Sequence, residues 1–596
     1  MGLLTDPGAG RGKFTQLLVN YHGILCILLY LAGIVMFLLL ACESNNAATY
    51  FSENALLPGL VKGEYNEEFS ARDFYKELLV EAERHPDDLP YSWLLAKLRQ
   101  IGLDAYTHNF TLNYPMGLGT KYTGKNVYGI IRAPRSASTE ALVLSVPYRP
   151  LNTAHPSTLP GVALSLSLAK FFRRKKYWAK DVIVLFSQHE QLGVQAWLEA
   201  YHQTSCGRGV LDHGDLQGRA GAIQAAINLE LHAETVSHLD IKVEGLNGQL
   251  PNLDLVNLAH RMSTKEGVHH TFKNTHQPSN LHGWKLWQHS LKTLLAMVGT
   301  QAAGVPNGNH GLFHRFGIEA ITIEGFEKYK HSPMPAGFYQ VGRVMEGIFR
   351  SLNNLLERFH QSFFFYLLPS TERYVSIGLY MPCVGLMAGA LLIKAFATWL
   401  KLNENTEEEK EVQVDTSSQT WSAVVPAGVC WLLVHALGVS MLSAAETFSY
   451  FGLELALMTE DSVFYGFLAC SAGSLFIPLI FKWNGIDLHM CGPLLHIAGL
   501  LELLGVLRRA AWMLLHPMSL LCASVMLTAA ASFPGEPWGP WRAIGAAKQA
   551  LMFSIVDNYV YGSWMLSAAC ALLLPTWIIF WSVLHQGKPK QTTSTS

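Results

Sequence analysis

The chain has 596 residues, of which 50% are hydrophobic and only 15% are charged, and its formal net charge is −1. Soluble globular proteins carry about 25% charged residues, so part of this chain is expected to lie in a membrane. The length predicts more than one structural unit. A net charge near zero offers no basic surface to a nucleic acid, so we expect no nucleic-acid partner.

The first membrane span is predicted at residues 23–42, a run without charged residues. At a rise of about 1.5 Å per residue, this run is long enough to cross a hydrocarbon core about 30 Å thick. Its length favours a retained signal anchor over a cleaved signal peptide. Because Arg11 and Lys13 precede the run and Glu43 follows it, we expect residues 1–22 in the cytosol and the next segment in a lumen.

Residues 362–584 are predicted to form an all-α membrane domain with several spans, followed by a C-terminal tail at 585–596. Apolar runs predict spans at 374–400, 421–444, 462–481, 510–532 and 562–584. The charge bias then favours six spans in total and a cytosolic C-terminus. The short run at 493–506 is predicted to be re-entrant or interfacial because two arginines follow it directly. Counts of seven or eight spans stay open.

Four further features of the sequence bear on the membrane domain and on the segment that precedes it. A polar loop is predicted at 403–419, and an interfacial helix at 543–556. Cys206 is the only one of the nine cysteines that lies inside the segment 43–361, so no disulfide is expected there. The glycosylation sequon at Asn109 lies in the same segment, as a lumenal position requires.

The segment 43–361 alternates helical and strand patterns, which predicts an α/β domain with a largely parallel sheet flanked by helices. Strands are predicted at 126–131, 141–146, 181–186, 222–229 and 320–324. Helices are predicted at 71–84, 91–101, 162–172, 191–202, 254–262 and 338–359.

Side chains suited to metal binding lie at the predicted carboxyl ends of the strands, where ligands gather in such sheets. Glu190, Glu230 and His310 offer oxygen and nitrogen ligands of the kind that zinc takes. A structural alternative stays open for each of them. Glu190 would cap the following helix, Glu230 would pair with a nearby base, and His310 would hydrogen-bond a loop.

The order of these residues resembles the M28 family of zinc aminopeptidases. By that resemblance, Pro147 stands at the first histidine ligand, Arg149 at the aspartate beside it, Ser157 at the bridging aspartate and His189 at the catalytic glutamate. The ligand positions that remain are Glu190, Glu230 and His310. The resemblance therefore implies an incomplete shell that holds at most one zinc ion, with no catalytic base.

Longer stretches resemble the GAA1-type anchor-attachment subunit of the GPI transamidase. They are NVYGI at 126–130, YWAKD at 177–181, AWLEAYH at 196–202, LQGRAGAIQ at 216–224, VEGLNGQLPNLD at 243–254, NHGLF at 309–313, HQSFF at 360–364 and VSIGLYMP at 375–382. The resemblance covers residues 1 to about 482 and is poor at 485–511. The family pattern has about seven C-terminal spans, where the charge bias here supports five.

This second resemblance implies a non-catalytic subunit of a complex in the endoplasmic reticulum membrane. Such a subunit would recognise the GPI lipid and support assembly with a cysteine-protease-like catalytic subunit that acts on a proprotein. It implies no catalytic residue and no cofactor in this chain. The alternative is a one-zinc metalloenzyme that forms amide bonds or acts as a peptidase. A membrane aminopeptidase and a lipid transporter fit the sequence less well.

Overall fold

The computed structural model describes residues 13–586 except 87, 117–118, 135–138, 154, 276–281, 328–334, 361–363, 411–416, 475, 478–479 and 481–539. The strands in the described residues are β1 (Ala47–Ala48), β2 (Asp104–Asn113), β3 (Lys121–Ile131), β4 (Glu140–Pro147), β5 (Asp181–Ser187), β6 (Leu211–Asp212), β7 (Ala222–Leu231), β8 (Thr235–Lys242), β9 (His270–Thr271), β10 (Glu319–Glu327), β11 (Ala336–Gly337), β12 (Tyr366–Ser370) and β13 (Arg373–Ser376).

The α-helices of the described residues fall into two groups. Those up to α9 belong to the α/β domain, apart from the N-terminal apolar helix α1, and those from α10 onward follow it. They are α1 (Lys13–Leu39), α2 (Glu68–Arg84), α3 (Tyr91–Ile101), α4 (Leu159–Arg174), α5 (Gln191–His202), α6 (Leu253–Lys265), α7 (Trp284–Ala303), α8 (His310–Phe313), α9 (Phe338–Asn353), α10 (Ile377–Lys410), α11 (Ser417–Ser440), α12 (Ala444–Glu454), α13 (Thr459–Ser474), α14 (Pro540–Val556), α15 (Met565–Ala568) and α16 (Leu574–Gln586).

A mixed sheet forms the centre of the domain, in the order β11-β8-β10-β7-β4-β5-β3-β2-β6, with β9 beside β8. The four strands β10, β7, β4 and β5 are parallel to one another. On either side, β8 and β3 join them antiparallel. The predicted α/β class is confirmed, and the parallel pairing that the sequence predicted is concentrated in the centre of the sheet.

Alternate residues of the central strands bury opposite faces of the sheet, as the two-residue repeat of a strand requires. On one face, Leu142 and Leu144 pack in a large core with helices α2, α3, α4, α6 and α9. On the other face, Ala141 and Val143 pack with residues of α5 and α8. Because both faces are covered, β4 and β5 are apolar almost throughout, which is the pattern of a buried parallel strand.

A three-stranded sheet joins the domain to its two flanking apolar helices, and it extends the domain beyond residue 361, where the sequence placed its end. Its order is β1-β13-β12. Tyr366 and Val375 of this sheet lie in the main core. The Arg373 guanidinium donates to the main-chain oxygens of Glu43 and Asn46, which immediately follow α1. The sequence prediction missed this sheet because its strands are short and lie next to an apolar run.

Two described helices contain segments that are long and apolar enough to cross a membrane, Asn20–Leu39 and Ile377–Lys394. The number rises to four if two bent pairs each count as one span, Gly428–Ser440 with Ala444–Glu454 and Arg542–Val560 with Met565–Ile579. The second of these pairs bends by 108°.

Helix α10 continues to Lys410, so the first half of the predicted polar loop at 403–419 is helical. The helix predicted at 543–556 matches α14, and its interfacial position stays a prediction. The span predicted at 510–532 and the short run at 493–506 lie outside the described residues. The count of six spans therefore stays a prediction.

Arginines of the α/β domain contact the C-terminal helical region directly. The Arg208 guanidinium lies 4.4 Å from the centre of the Tyr559 ring and donates to the Leu442 oxygen at 3.1 Å. Arg315 donates to the oxygens of Tyr561 and Cys206. These contacts place the loop between α5 and β6 and the turn before β10 beside the segment that follows α14.

Candidate functional site

The carboxyl ends of the four central strands bring the predicted site residues to one edge of the sheet. Arg149 follows β4, Glu190 follows β5, and Glu230 lies near the end of β7. In the parallel pair of β7 and β10, Glu230 is in register with Glu324. This is the edge where an α/β fold places its ligands.

Arg149 bridges two of the three predicted metal ligands. Its Nε donates to Glu190 Oε1 at 2.6 Å and its Nη2 to Glu190 Oε2 at 2.8 Å, a bidentate pair. The same Nη2 donates to Glu230 Oε2 at 2.9 Å. Burial acts to lower the pKa of Arg149, but the bonds to Glu190 and Glu230 outweigh burial and raise this pKa above its ordinary value. The guanidinium therefore carries a permanent positive charge between the two carboxylates.

The loop after β4 is closed by hydrogen bonds that fix the position of Arg149. Thr158 Oγ1 donates to the Pro147 oxygen at 2.6 Å and accepts from the Arg149 amide at 2.9 Å. Ser157 Oγ donates to the Arg149 oxygen at 3.1 Å. Ser157, at the predicted bridging position, thus takes part in the loop backbone and offers no carboxylate to the site.

The turn between β5 and α5 has a backbone that is rare for side chains other than glycine. His189 has φ of 56° and Glu190 has φ of 49°, two successive positive values. Such conformations cost about 1–3 kcal/mol each and persist where the surrounding structure determines them. Glu190 stands at the N-cap position of α5, but its side chain makes no capping bond. The capping alternative for Glu190 is therefore wrong, and its carboxylate turns to Arg149.

His310 is fully buried and both of its ring nitrogens have partners in the protein. Nδ1 lies 2.8 Å from Thr322 Oγ1, and Nε2 lies 3.1 Å from the Glu244 oxygen. Burial holds the pKa of His310 well below its ordinary value, so the ring is neutral. This is the structural alternative that the sequence left open for His310, a histidine bonded to a neighbouring loop.

Two further polar residues lie at this edge, His232 and Glu324, and neither was predicted as part of the site. His232 Nε2 lies 3.0 Å from Glu324 Oε1, and Lys242 Nζ lies 2.8 Å from Glu324 Oε2. Burial acts to raise the pKa of Glu324, but the bonds to His232 and Lys242 outweigh burial. The pKa of Glu324 is therefore lowered to about 2. The sequence does carry a signal for His232. Side chains alternate between the two faces of a strand, so His232, two residues after Glu230, is expected on the same face as Glu230.

Among the described residues, ligand atoms of Glu230, His232 and Glu324 lie within 4.8 Å of one another. Two cations already pair with this group, Arg149 with Glu230 and Lys242 with Glu324. A zinc ion added here would face two fixed positive charges at short range, which opposes its binding.

The three ligands predicted from the sequence fit a zinc ion poorly as well. The Arg149 guanidinium lies between Glu190 and Glu230, and both carboxylates accept hydrogen bonds from it. His310 does not join them in a common set of ligand atoms among the described residues. The arrangement is a hydrogen-bonded ionic network, and its residues do not fit the metal that the M28 resemblance implied.

Cys206 and Asn109 complete the set of residues singled out by the sequence. The Cys206 thiol is free and half-buried, and burial raises its pKa. A thiol with a raised pKa holds little thiolate near neutral pH and is a weak nucleophile. Asn109 lies on β2 in an exposed position, where a glycan has room. The glycosylation of Asn109 stays a prediction.

Fold and site together define an α/β domain on apolar helices, whose ligand edge is closed by an arginine–carboxylate network. Residues 123–508 match the family model described as Gaa1-like, GPI transamidase component. This match extends over more than half of the chain, so the chain belongs to the Gaa1-like family.

Two curated relatives come from yeasts. The GPI transamidase component GAA1 of Saccharomyces cerevisiae is 32% identical over 389 residues, which are 63% of this chain and 57% of the relative. The GPI transamidase component gaa1 of Schizosaccharomyces pombe is 31% identical over 365 residues, 59% of this chain and 60% of the relative. The chain thus spans less than two thirds of the length of the curated relatives it matches.

Two solved structures show a low overall similarity to the chain. The glutaminyl cyclase of Porphyromonas gingivalis gives a TM-score of 0.31 at 14% identity, covering 49% of this chain and 99% of that one. A putative zinc-dependent exopeptidase of Bacteroides vulgatus gives a TM-score of 0.29 at 14% identity, covering 48% and 97%.

Proposed function

We propose that the chain is a non-catalytic subunit of a GPI transamidase. It would recognise and present the GPI lipid and support assembly of the complex in the endoplasmic reticulum membrane. The observation that carries the non-catalytic role is the Arg149 network, in which a fixed guanidinium binds Glu190 and Glu230. The transamidase role is supported by membership in the Gaa1-like family.

In this proposal the reaction takes place on another subunit. A cysteine-protease-like partner would form a thioester with the proprotein, and the amine of the GPI lipid would attack that thioester. Holding an amine beside a thioester lowers the barrier, because effective molarities of well-oriented groups reach about 10⁵ M or more. The α/β domain would supply this positioning as a rigid support, and the membrane helices would hold the lipid.

The proposal can be tested by expressing the Glu190→Gln variant in cells that lack this chain. This substitution removes a potential metal ligand, and the affected side chain is 36% exposed, so the domain should stay folded. We expect a GPI-anchored reporter to reach the cell surface at the wild-type level, with the same partner proteins co-purifying. Loss of the reporter from the surface, with the partners still bound, would show that Glu190 acts in the chemistry and would refute the non-catalytic role.

The alternative of a one-zinc metalloenzyme makes the opposite prediction for the same variant. It also requires stoichiometric zinc that is lost with Glu230→Gln. The two fixed cations at the site, Arg149 and Lys242, argue against this alternative.

A further inference from the structure

Two adjoining cavities open where the α/β domain meets the end of α1. The first, called here the apolar cavity, has a volume of about 530 Å³ and is lined by Val35, Leu38 and Leu39 of α1 and by Trp284 and Trp287 of α7. The second, called here the polar cavity, also has a volume of about 530 Å³. Glu43 and Leu286 line both, so the two cavities form one site with two ends of opposite polarity.

The apolar cavity lies at the end of a helix that is long and apolar enough to cross a membrane. The apolar segment Asn20–Leu39 ends there. Trp284 is 65% exposed and stacks on Trp287 with ring centres 4.4 Å apart. Trp287 Nε1 donates to the Leu38 oxygen at 3.0 Å, which fixes α7 against the end of α1. Tryptophans are enriched at the membrane–water interface, and a tryptophan pair with one exposed ring beside an apolar helix predicts contact with lipid.

The polar cavity carries two carboxylates and several imidazoles. Glu43 and Glu372 line it, together with His269, His270 and His282. Neither carboxylate forms an ion pair with a described residue, and Arg373 donates to the main-chain oxygen of Glu43. Two carboxylates therefore line this cavity without a cationic side chain paired to them among the described residues.

The imidazole beside Glu372 is a neutral group. His270 Nε2 lies 2.6 Å from Nδ1 of His260, and burial lowers the pKa of His270 to about 4. A neutral imidazole donates a hydrogen bond through one nitrogen and accepts through the other. Nδ1 of His270 lies 3.3 Å from the Val268 oxygen, so both of its ring nitrogens have partners in the protein and it lines the cavity without adding a positive charge.

We propose that these cavities bind one membrane phospholipid with an ethanolamine head group. Its acyl chain lies in the apolar cavity beside Leu39 and Trp284, and its ammonium binds Glu43 and Glu372. The phosphate lies toward His282, an exposed imidazole that lines the polar cavity. Each cavity is within the roughly 300–1,000 Å³ typical of ligand sites, and the change of polarity at Glu43 fits an amphiphile. This lipid would stay bound beside helix α1. The inference does not depend on the proposed transamidase role.

Native mass spectrometry of the delipidated full chain tests the proposal with phosphatidylethanolamine and phosphatidylglycerol as probes. We expect one phosphatidylethanolamine per chain, bound at least about tenfold more tightly than the anionic lipid, a difference of about 1.4 kcal/mol. The double variant Glu43→Gln with Glu372→Gln should remove this preference. The control pair, Glu234→Gln with Glu357→Gln, changes two exposed carboxylates that do not line the site and should keep it.

A second pair of variants tests the acyl end of the site. Leu39→Trp fills the apolar cavity and should weaken phosphatidylethanolamine binding at least about tenfold. Leu31→Trp lies on the same helix, is 52% exposed and does not line the cavity, so it should bind as the wild type does. Equal or tighter binding of phosphatidylglycerol, no bound lipid at all, or equal effects of the test variants and their controls would each overturn the proposal.

Discussion

Arg149 and Glu230 form a buried ion pair, with Nη2 2.9 Å from Oε2, at the carboxyl ends of β4 and β7. The side chains are 14% and 3% exposed, so the pair lies largely out of water. Arg149 also holds Glu190, and this makes it the centre of the ligand edge. A cation is thus built into the chain at the place where the M28 resemblance predicted a bound one.

Removal of this cation should destabilise the domain. Arg149→Met leaves Glu230 buried without its partner, and such a change costs about 3–5 kcal/mol. The midpoint of thermal unfolding of the full chain in detergent should therefore fall clearly. Adding Glu230→Gln removes the stranded charge and should restore part of the loss.

Arg84→Ala is the matched control for this experiment. Its ion pair with Glu81 is exposed, with Arg84 at 65%, and is worth about 1 kcal/mol or less. A small and equal loss in Arg149→Met and Arg84→Ala would contradict the account of the site.

Stability should fall as the pH is lowered from 6.5 toward 4. Burial lowers the pKa of His108 to about 4 and holds that of His310 well below its usual 6.5. In this interval the unfolded chain binds more protons than the folded one. The free energy of unfolding therefore decreases as the pH falls. His108 should account for about 2 kcal/mol of this loss at pH 5. Burial raises the pKa of Glu319 to about 7, and this carboxyl acts in the opposite direction.

His108→Gln isolates one histidine of this set. His108 Nε2 lies 2.5 Å from the His213 oxygen, and a glutamine amide can keep a donor there without titrating. Thermal unfolding between pH 7 and pH 5 should show a weaker pH dependence in this variant. His85→Gln removes an exposed histidine and should leave the dependence as it is. Identical pH profiles in His108→Gln and the wild type would contradict the prediction.

Relief of the strained turn before α5 should stabilise the chain without loss of function. His189 has φ of 56°, a conformation that glycine adopts without steric strain. His189→Gly should raise the free energy of unfolding by about 1 kcal/mol and keep the surface level of a GPI-anchored reporter. A drop in the reporter with normal assembly would instead assign His189 a part in the chemistry.

Asn109 should carry a glycan if the α/β domain faces a lumen. Asn109→Gln and Thr111→Ala each destroy the sequon and should abolish the mobility shift that a glycosidase produces on a gel. Thr107→Ala, on the same strand and outside the sequon, should retain the shift. A wild-type chain without any shift would contradict the predicted lumenal position.

The sequence predicted the centre of the domain well because its signals there are strong. The strands β4 and β5 are apolar runs with turn signals at both ends, and helices α3 and α5 lie at the predicted residues. The outer strands β2 and β8, each next to a two-residue edge strand, were missed because they mix polar and apolar residues. Helix α9 was predicted to reach residue 359 but ends at Asn353, whose side-chain oxygen accepts from the amides of Ala179 and Lys180.

The site was harder to predict than the fold. The sequence placed Arg149 beside Glu190 and Glu230, but the reach and rotamer of a long guanidinium are set by packing. Spacing alone did not show that one side chain would bind both carboxylates. His310 resembled a ligand in its motif, and its bonds to Thr322 and Glu244 depend on how β10 and the loop after β8 meet.

Zinc analysis of the purified full chain tests the central claim most directly. The chain should be loaded with excess zinc, desalted and measured by inductively coupled plasma mass spectrometry beside Glu230→Gln. If Arg149 occupies the ligand edge, the wild type should contain far less than one zinc per chain, at the same level as the variant. One zinc per wild-type chain, lost in Glu230→Gln, would contradict the account.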